Sequence, residues 1–154
     1  MNKVQSIPEG VSVVMPMLIC QDVSIEIEFC KTVFKATELV SRPGTDGKVA
    51  HAAMNITGAM IMLECEWDAL DSRSPKKDGS SPVVIYVYVN DVDVALEKAK
   101  TFGAIVLLPA KDQFWGDRTA RIMDTQGHVW TLSSRIEETT SDERKERWSK
   151  IVNE

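Results

Sequence analysis

The chain carries a copy of itself. Shifted by 69 positions, Asp22-Val23 falls on Asp91-Val92, Glu28 on Glu97, and Lys31-Thr32 on Lys100-Thr101. Further on, Gly58 falls on Gly127 and Leu63 on Leu132. Ile25 and Ile27 meet Val94 and Leu96, so the apolar pattern survives as well. One constant offset held through a helix and a hairpin marks a duplicated supersecondary unit. The constraint is severe, because whatever fold suits the first half must also suit the second.

Each copy reads β-α-β-β-β. In the first, residues 14–20 form a strand in which Pro16 marks an edge or a beginning. Asp22 caps a helix to about Phe34, with Val23, Ile27, Cys30, Val33 and Phe34 on one face. Strands follow at 38–41, 48–56 and 59–64, separated by Pro43-Gly44-Thr45-Asp46-Gly47 and by Thr57-Gly58. The second copy offers a strand at 83–89 and a helix at 91–102 that ends at Gly103. Strands at 105–108, 118–123 and 128–133 complete it. The polar, Pro- and Gly-bearing run DALDSRSPKKDGSS reads as a linker. The expected layout is an arm (1–12), a first module (13–67), a linker (68–81), a second module (82–136) and a tail (137–154). The tail holds a helix at 141–152, docked by Trp148 and Ile151. All of this fits one structural domain of 154 residues.

Composition narrows the function classes. A net charge of −5 speaks against nucleic acid and anionic membrane as partners. No apolar run approaches the ~20 residues of a membrane span, and the N-terminus lacks a signal-peptide pattern. Three cysteines, Cys20, Cys30 and Cys65, have no metal or redox spacing and read as buried free thiols in a reducing cytoplasm.

The most informative stretch is FWGDRTARIMDTQGHVWTLSS, residues 114–134. It reads as an aromatic loop, a strand, a tight turn at Asp124-Thr125-Gln126-Gly127, and a returning strand. Its aromatic-Gly-Asp-Arg segment, Asp-x-x-Gly-His-x-Trp turn and closing Ser resemble the last hairpin of the vicinal oxygen chelate superfamily. The glyoxalase-like and bleomycin-resistance-like branch is the nearest match, over roughly residues 13–136. The resemblance implies an α+β fold of tandem βαβββ modules forming a cupped, mixed, eight-stranded sheet around a cleft, helices outside. It also implies a homodimer, with the modules of one cavity drawn from one chain or from two.

Metal-dependent members of that superfamily bind a divalent ion with four side chains. The resemblance carries those places onto Met15, Met62, Val84 and Thr131, which respect the repeat offset. Thioether, methyl and hydroxyl groups do not hold a hard or borderline cation. The expectation is therefore no metal and no other cofactor.

Two histidines remain. His128, after the turn glycine, is expected to face solvent or a neighbouring strand. If Thr57-Gly58 is a two-residue turn, His51 faces Glu64 and Ala53 faces Met62; a bulged turn would shift this by one. A His–carboxylate pair in a cleft suits ligand contact, acid/base work or a structural role. Phe114 and Trp115 offer flat rings for stacking a planar ligand, or for packing a seam. Arg118 and Arg121 suit an anionic ligand group, or pairing with Asp117 and Asp124. Trp130 reads as core. Met15, Met17, Met60 and Met62 suit an adaptable apolar lining or plain core. No nucleophile constellation or phosphate loop is present in the sequence. These residues imply binding of a small hydrophobic or aromatic molecule, with His51, Met62, Glu64, Phe114, Trp115, Arg118 and Thr131 in contact and no catalytic residue assigned. The alternative is a glyoxalase-like lyase or isomerase using a displaced metal or the His51–Glu64 pair. A third possibility is an interaction module with a filled cleft.

Overall fold

The computed structural model describes residues 4–153, so the first three residues of the expected arm and the last residue of the tail lie outside it. The eight strands divide four and four between two mixed sheets. The chain separates into two units between Pro75 and Lys76, inside the stretch expected as a linker. That stretch is partly structured, with a 3-10 turn at Asp68–Leu70 and a bridge between Trp67 and Ser72.

The first unit runs β1 (Met17–Cys20), α1 (Val23–Phe34), β2 (Thr37–Pro43), β3 (Val49–Ile56) and β4 (Ala59–Cys65). Its sheet order is β1-β4-β3-β2, with β1 parallel to β4 and the other pairs antiparallel. β1 starts at Met17 rather than at residue 14. Pro16 has no N–H for the ladder and contributes only its carbonyl, which accepts from Met62 N at 2.9 Å. Asp22 caps α1 by accepting from Ser24 N and Ile25 N. The helix face expected from the sequence is buried, and Glu26 and Phe29 are buried with it. Together with Leu18, Ala52, Met54, Ile61 and Leu63 it forms the core of this unit.

The second unit repeats the order as β5 (Val84–Tyr88), α2 (Val92–Phe102), β6 (Ile105–Asp112), β7 (Asp117–Met123) and β8 (Val129–Arg135). Its sheet order is β5-β8-β7-β6. Asp91 caps α2, and Gly103 ends it in the left-handed region at φ 109°. α2 buries Val92, Ala95, Leu96 and Ala99, and the core also takes Val87, Ala120, Ile122, Trp130 and Leu132. Strand alternation then decides the rest: residues 86, 88, 117, 119, 121, 131 and 133 belong to the opposite face.

Two hairpins differ by one residue of register. Thr57 (φ 50°) and Gly58 (φ 94°) both take positive φ, as a tight two-residue turn between twisted strands requires. His51 is therefore paired with Glu64, and Ala53 with Met62. Between β7 and β8 the longer turn around Asp124 and Gly127 pairs Arg121 with Thr131 and Ala120 with Leu132. This displaces the second module by one position from the first, as a bulged turn does.

α3 (Ser141–Val152) opens with a capping box between Thr140 and Glu143. Trp148 packs on Phe114 at a ring distance of 5.3 Å, as expected of a docking residue. Ile151, like Trp148, is half exposed.

Candidate ligand face of the second module

The face of β5-β8-β7 turned away from α2 gathers the second unit's polar side chains. Asp117 begins β7 and is 2% exposed. Its Oδ2 accepts from Tyr88 Oη (2.9 Å), from Ser133 Oγ (2.9 Å) and, at 3.2 Å, from Tyr86 Oη. Tyr86 Oη also donates to Ser133 Oγ at 2.8 Å. Arg135 Nε stands 3.9 Å from Asp117 Oδ1. Burial works to raise the Asp117 carboxyl, but hydrogen bonds from Tyr88, Ser133, Trp115 and Tyr86 outweigh it and hold it below its ordinary value. The same bond to Asp117 pushes the Tyr88 phenol up.

Tyr86 and Tyr88 are 47% and 57% exposed, with ring centroids 5.6 Å apart and planes tilted by 59°. Their rings form an open aromatic surface over an ionised, hydrogen-bonded carboxylate. Sequence reading missed this cluster. The signal was the period-two placement of Tyr86 and Tyr88, one and two strand repeats past Val84. In the sequence Asp117 stands out as a motif residue and as a partner for arginine, and neither signal points to the tyrosines.

Beside the tyrosines, Arg121 Nε donates to Thr131 Oγ1 at 3.2 Å. Thr131 is thus on the face expected of it and already holds a cationic neighbour. Arg118, one strand position over from Asp117, points the other way. It binds Asp93 on α2 through Nε (2.8 Å) and Nη2 (3.0 Å), and Asp112 on β6 through Nη1 (2.7 Å). The structure does not place Arg118 with Arg121 and Thr131, and neither arginine pairs with Asp117 or Asp124. For Arg118 the reason is alternation along β7, since neighbours 117 and 118 cannot share a face.

Asp124 organises the turn. Its Oδ1 accepts from Gln126 N and His128 N at 2.8 and 2.9 Å, and its Oδ2 from Trp130 Nε1 at 2.6 Å. Burial nevertheless raises its carboxyl above the usual value, against the pull of the Trp130 N–H and of His128. His128 is 8% exposed, so it lies within this buried turn instead of facing solvent. Phe114 and Trp115 stack edge to face at 5.0 Å. Phe114 lies against Trp148 of α3, whereas Trp115 adds to the groups that hold the Asp117 carboxyl below its ordinary value. The aromatic pair thus splits between helix docking and the tyrosine cluster.

In the first unit, His51, Met62 and Glu64 share a sheet face and are all half-buried. His51 and Glu64 are cross-strand neighbours, but among the described residues no hydrogen bond or ion pair joins them. Elsewhere in that unit a concavity of about 1030 Å³ is lined by Asp22, Asp46, Lys48, Glu66, Trp67 and Asp68, among others. Its acids have local partners: Asp22 caps α1, Asp46 binds Lys48 N, Glu66 binds Ser74, and Asp68 pairs with Arg73.

The four places at which the resemblance would put a metal do not fit one. Met15 and Met62 offer thioethers, Val84 has no donor, and the Thr131 hydroxyl is bonded to a guanidinium. Among the described residues no three His, Cys, Asp or Glu side chains gather to hold an ion. No described helix is long and apolar enough to cross a membrane. Cys20 and Cys30 are buried, as expected, while Cys65 is only half-buried.

Residues 12–132 match the family model of the glyoxalase/bleomycin resistance protein/dioxygenase superfamily. An uncharacterised protein of Mycobacterium tuberculosis is 37% identical over 131 residues, covering 83% of this chain and 77% of its own. Among solved structures, TioX from Micromonospora sp. ML1 is similar at a TM-score of 0.63 and 23% identity, over 81% of this chain and 99% of that one. The fosfomycin resistance protein FosX from Listeria monocytogenes, complexed with Mn(II) and sulfate, reaches 0.63 at 19% identity, over 87% and 97%. With its duplicated βαβββ modules and the match across most of its length, the chain belongs to the glyoxalase/bleomycin resistance protein/dioxygenase superfamily.

Proposed function

We propose that this protein binds a small hydrophobic or aromatic molecule without a metal ion. The observation that carries the reading is the Arg121 guanidinium, bonded at 3.2 Å to the hydroxyl at the fourth position of the superfamily's metal set. A permanent cation beside that position repels a second one. Half-exposed Tyr86 and Tyr88 add ring surface suited to a planar ligand. The manganese of the Listeria protein belongs to that protein, whose sequence is 19% identical.

The test pairs elemental analysis of purified protein with calorimetric titration against a panel of aromatic metabolites and drugs. Saturable binding with far less than one metal per chain is the expected result. Stoichiometric zinc, nickel, manganese or iron, or no ligand at all, would overturn it.

The His51–Glu64 register supports a second reading, a lyase or isomerase working by acid/base catalysis. It requires a bound compound to be turned over, with His51→Gln abolishing turnover while leaving binding intact. Binding without turnover decides for the first reading.

A further inference from the structure

We infer that Arg121 receives the carboxylate of an aromatic acid whose ring lies against Tyr86 and Tyr88. This rests on the metal-free binding reading above and supplies the chemical class of its ligand. Arg121 uses Nε on Thr131, and no described side chain accepts from its two terminal nitrogens. The nearby carboxylates are engaged elsewhere. Asp117 is held by hydroxyls, Asp93 and Asp112 by Arg118, and Asp124 by Trp130 and the backbone. A guanidinium stays charged at any physiological pH and matches a carboxylate with two parallel N–H bonds. Arg121 therefore presents an uncompensated fork on the face that carries the tyrosines.

The spacing fits one molecule spanning both. Tyr86 pairs with Thr131, and Thr131 with Arg121, so a single row crosses β5, β8 and β7. The Arg121 guanidinium leans across to Thr131 on β8, so about one strand spacing, roughly 5 Å, separates it from Tyr86 on β5. A fused bicyclic aromatic acid covers that gap, with its ring at the tyrosines and its carboxylate at the arginine. Each phenol has one hydrogen, and both are directed at Asp117 and Ser133. The outward lone pairs then accept, which favours a ring bearing an N–H or O–H.

The probes are 2-naphthoate and its neutral counterpart 2-naphthamide, titrated calorimetrically into the full chain. The wild type is expected to prefer the acid by about tenfold or more, the scale of a charge-assisted bidentate bond. Arg121→Gln should bring the acid down to the amide and leave the amide unmoved. Arg121→Lys, which keeps charge but loses the fork, should fall between. Tyr86→Ala should weaken both probes. Unfolding temperatures of all variants check that the fold is intact. Equal binding of acid and amide by the wild type, or a Gln variant that weakens both alike, overturns the role of Arg121 and leaves aromatic binding standing. Failure of both probes to bind removes the ring-binding reading together with this one.

Discussion

Two single residues show how the 114–134 stretch is held. Gly116 has φ 99°, and a Cβ there would lie 2.5 Å from the Glu137 carbonyl oxygen. Its own carbonyl accepts from Ile136 N and Glu137 N, so the chain beyond β8 is pressed onto it. Gly116→Ala should cost about 2 kcal/mol or more, combining an unfavourable backbone with a backbone clash. Urea unfolding measures it, and an unchanged midpoint would mean that the tail does not pack there. Trp130 offers a pH-resolved test. Its N–H is one of the bonds drawing the buried Asp124 downward, against burial that raises it. A carboxyl raised on folding favours the protonated native state, so stability is fullest below the ordinary value near ~4 and lost as pH rises through the raised one. Trp130→Phe removes the donor and raises Asp124 further. Beyond a constant packing loss, the variant's deficit should grow by about 1–3 kcal/mol from acid to alkaline pH. A deficit that is flat with pH would show that Asp124 does not ionise in this window. Asp124 as a turn residue was legible, because its bonds to residues 126 and 128 are local. The Asp117 cluster was not, since Tyr86 and Tyr88 lie 31 and 29 residues away and only the ladder brings them together.

Among elements, the helices were the most legible, because their signals are local and repeat at the same offset. Asp22 and Asp91 cap α1 and α2 in the same manner, accepting from amides two or three residues on. Asp22→Ala and Asp91→Ala should each cost about 1 kcal/mol. The two caps have no shared partner, so the double variant should show the sum to within about half a kcal/mol in equilibrium unfolding. A markedly larger loss would reveal coupling between the helices. Strands were less legible. β6 runs to Asp112, past the residue 108 expected for its end, and crosses Pro109 where the ladder is irregular. Nothing in a Pro-containing, mixed-polarity run announces that its neighbour will continue the pairing. Register, in turn, followed from turn chemistry. Thr57-Gly58 gave a two-residue hairpin and fixed His51 opposite Glu64, while the longer turn at Asp124 moved the second module by one.

For the whole molecule, the internal repeat predicted the architecture, because a duplicated unit must satisfy the same sheet and helix twice. The functional face was beyond its reach. At repeat-related places the first module has Met17, Ile19, Met62 and Glu64 where the second has Tyr86, Tyr88, Thr131 and Ser133. Selection for function acts on such differences, and an offset that reports likeness is blind to them. Assembly is the remaining question at this scale, and a homodimer is the proposal the superfamily resemblance supports. Each sheet ends in unpaired edges, and β6, eight residues long, is one of them. It carries half-exposed Ile105 and Leu108 and a more sheltered Val106, an apolar edge of the kind that pairs with another chain unless it is covered. Light scattering at micromolar concentration should therefore give twice the chain mass. Leu108→Lys, at a side chain 53% exposed, puts a charge on that edge without entering the core. It should shift the species to monomer while leaving the unfolding temperature of the monomeric form within a few degrees. A wild-type chain that is monomeric throughout removes the homodimer. A Lys variant that remains dimeric moves the interface to another edge.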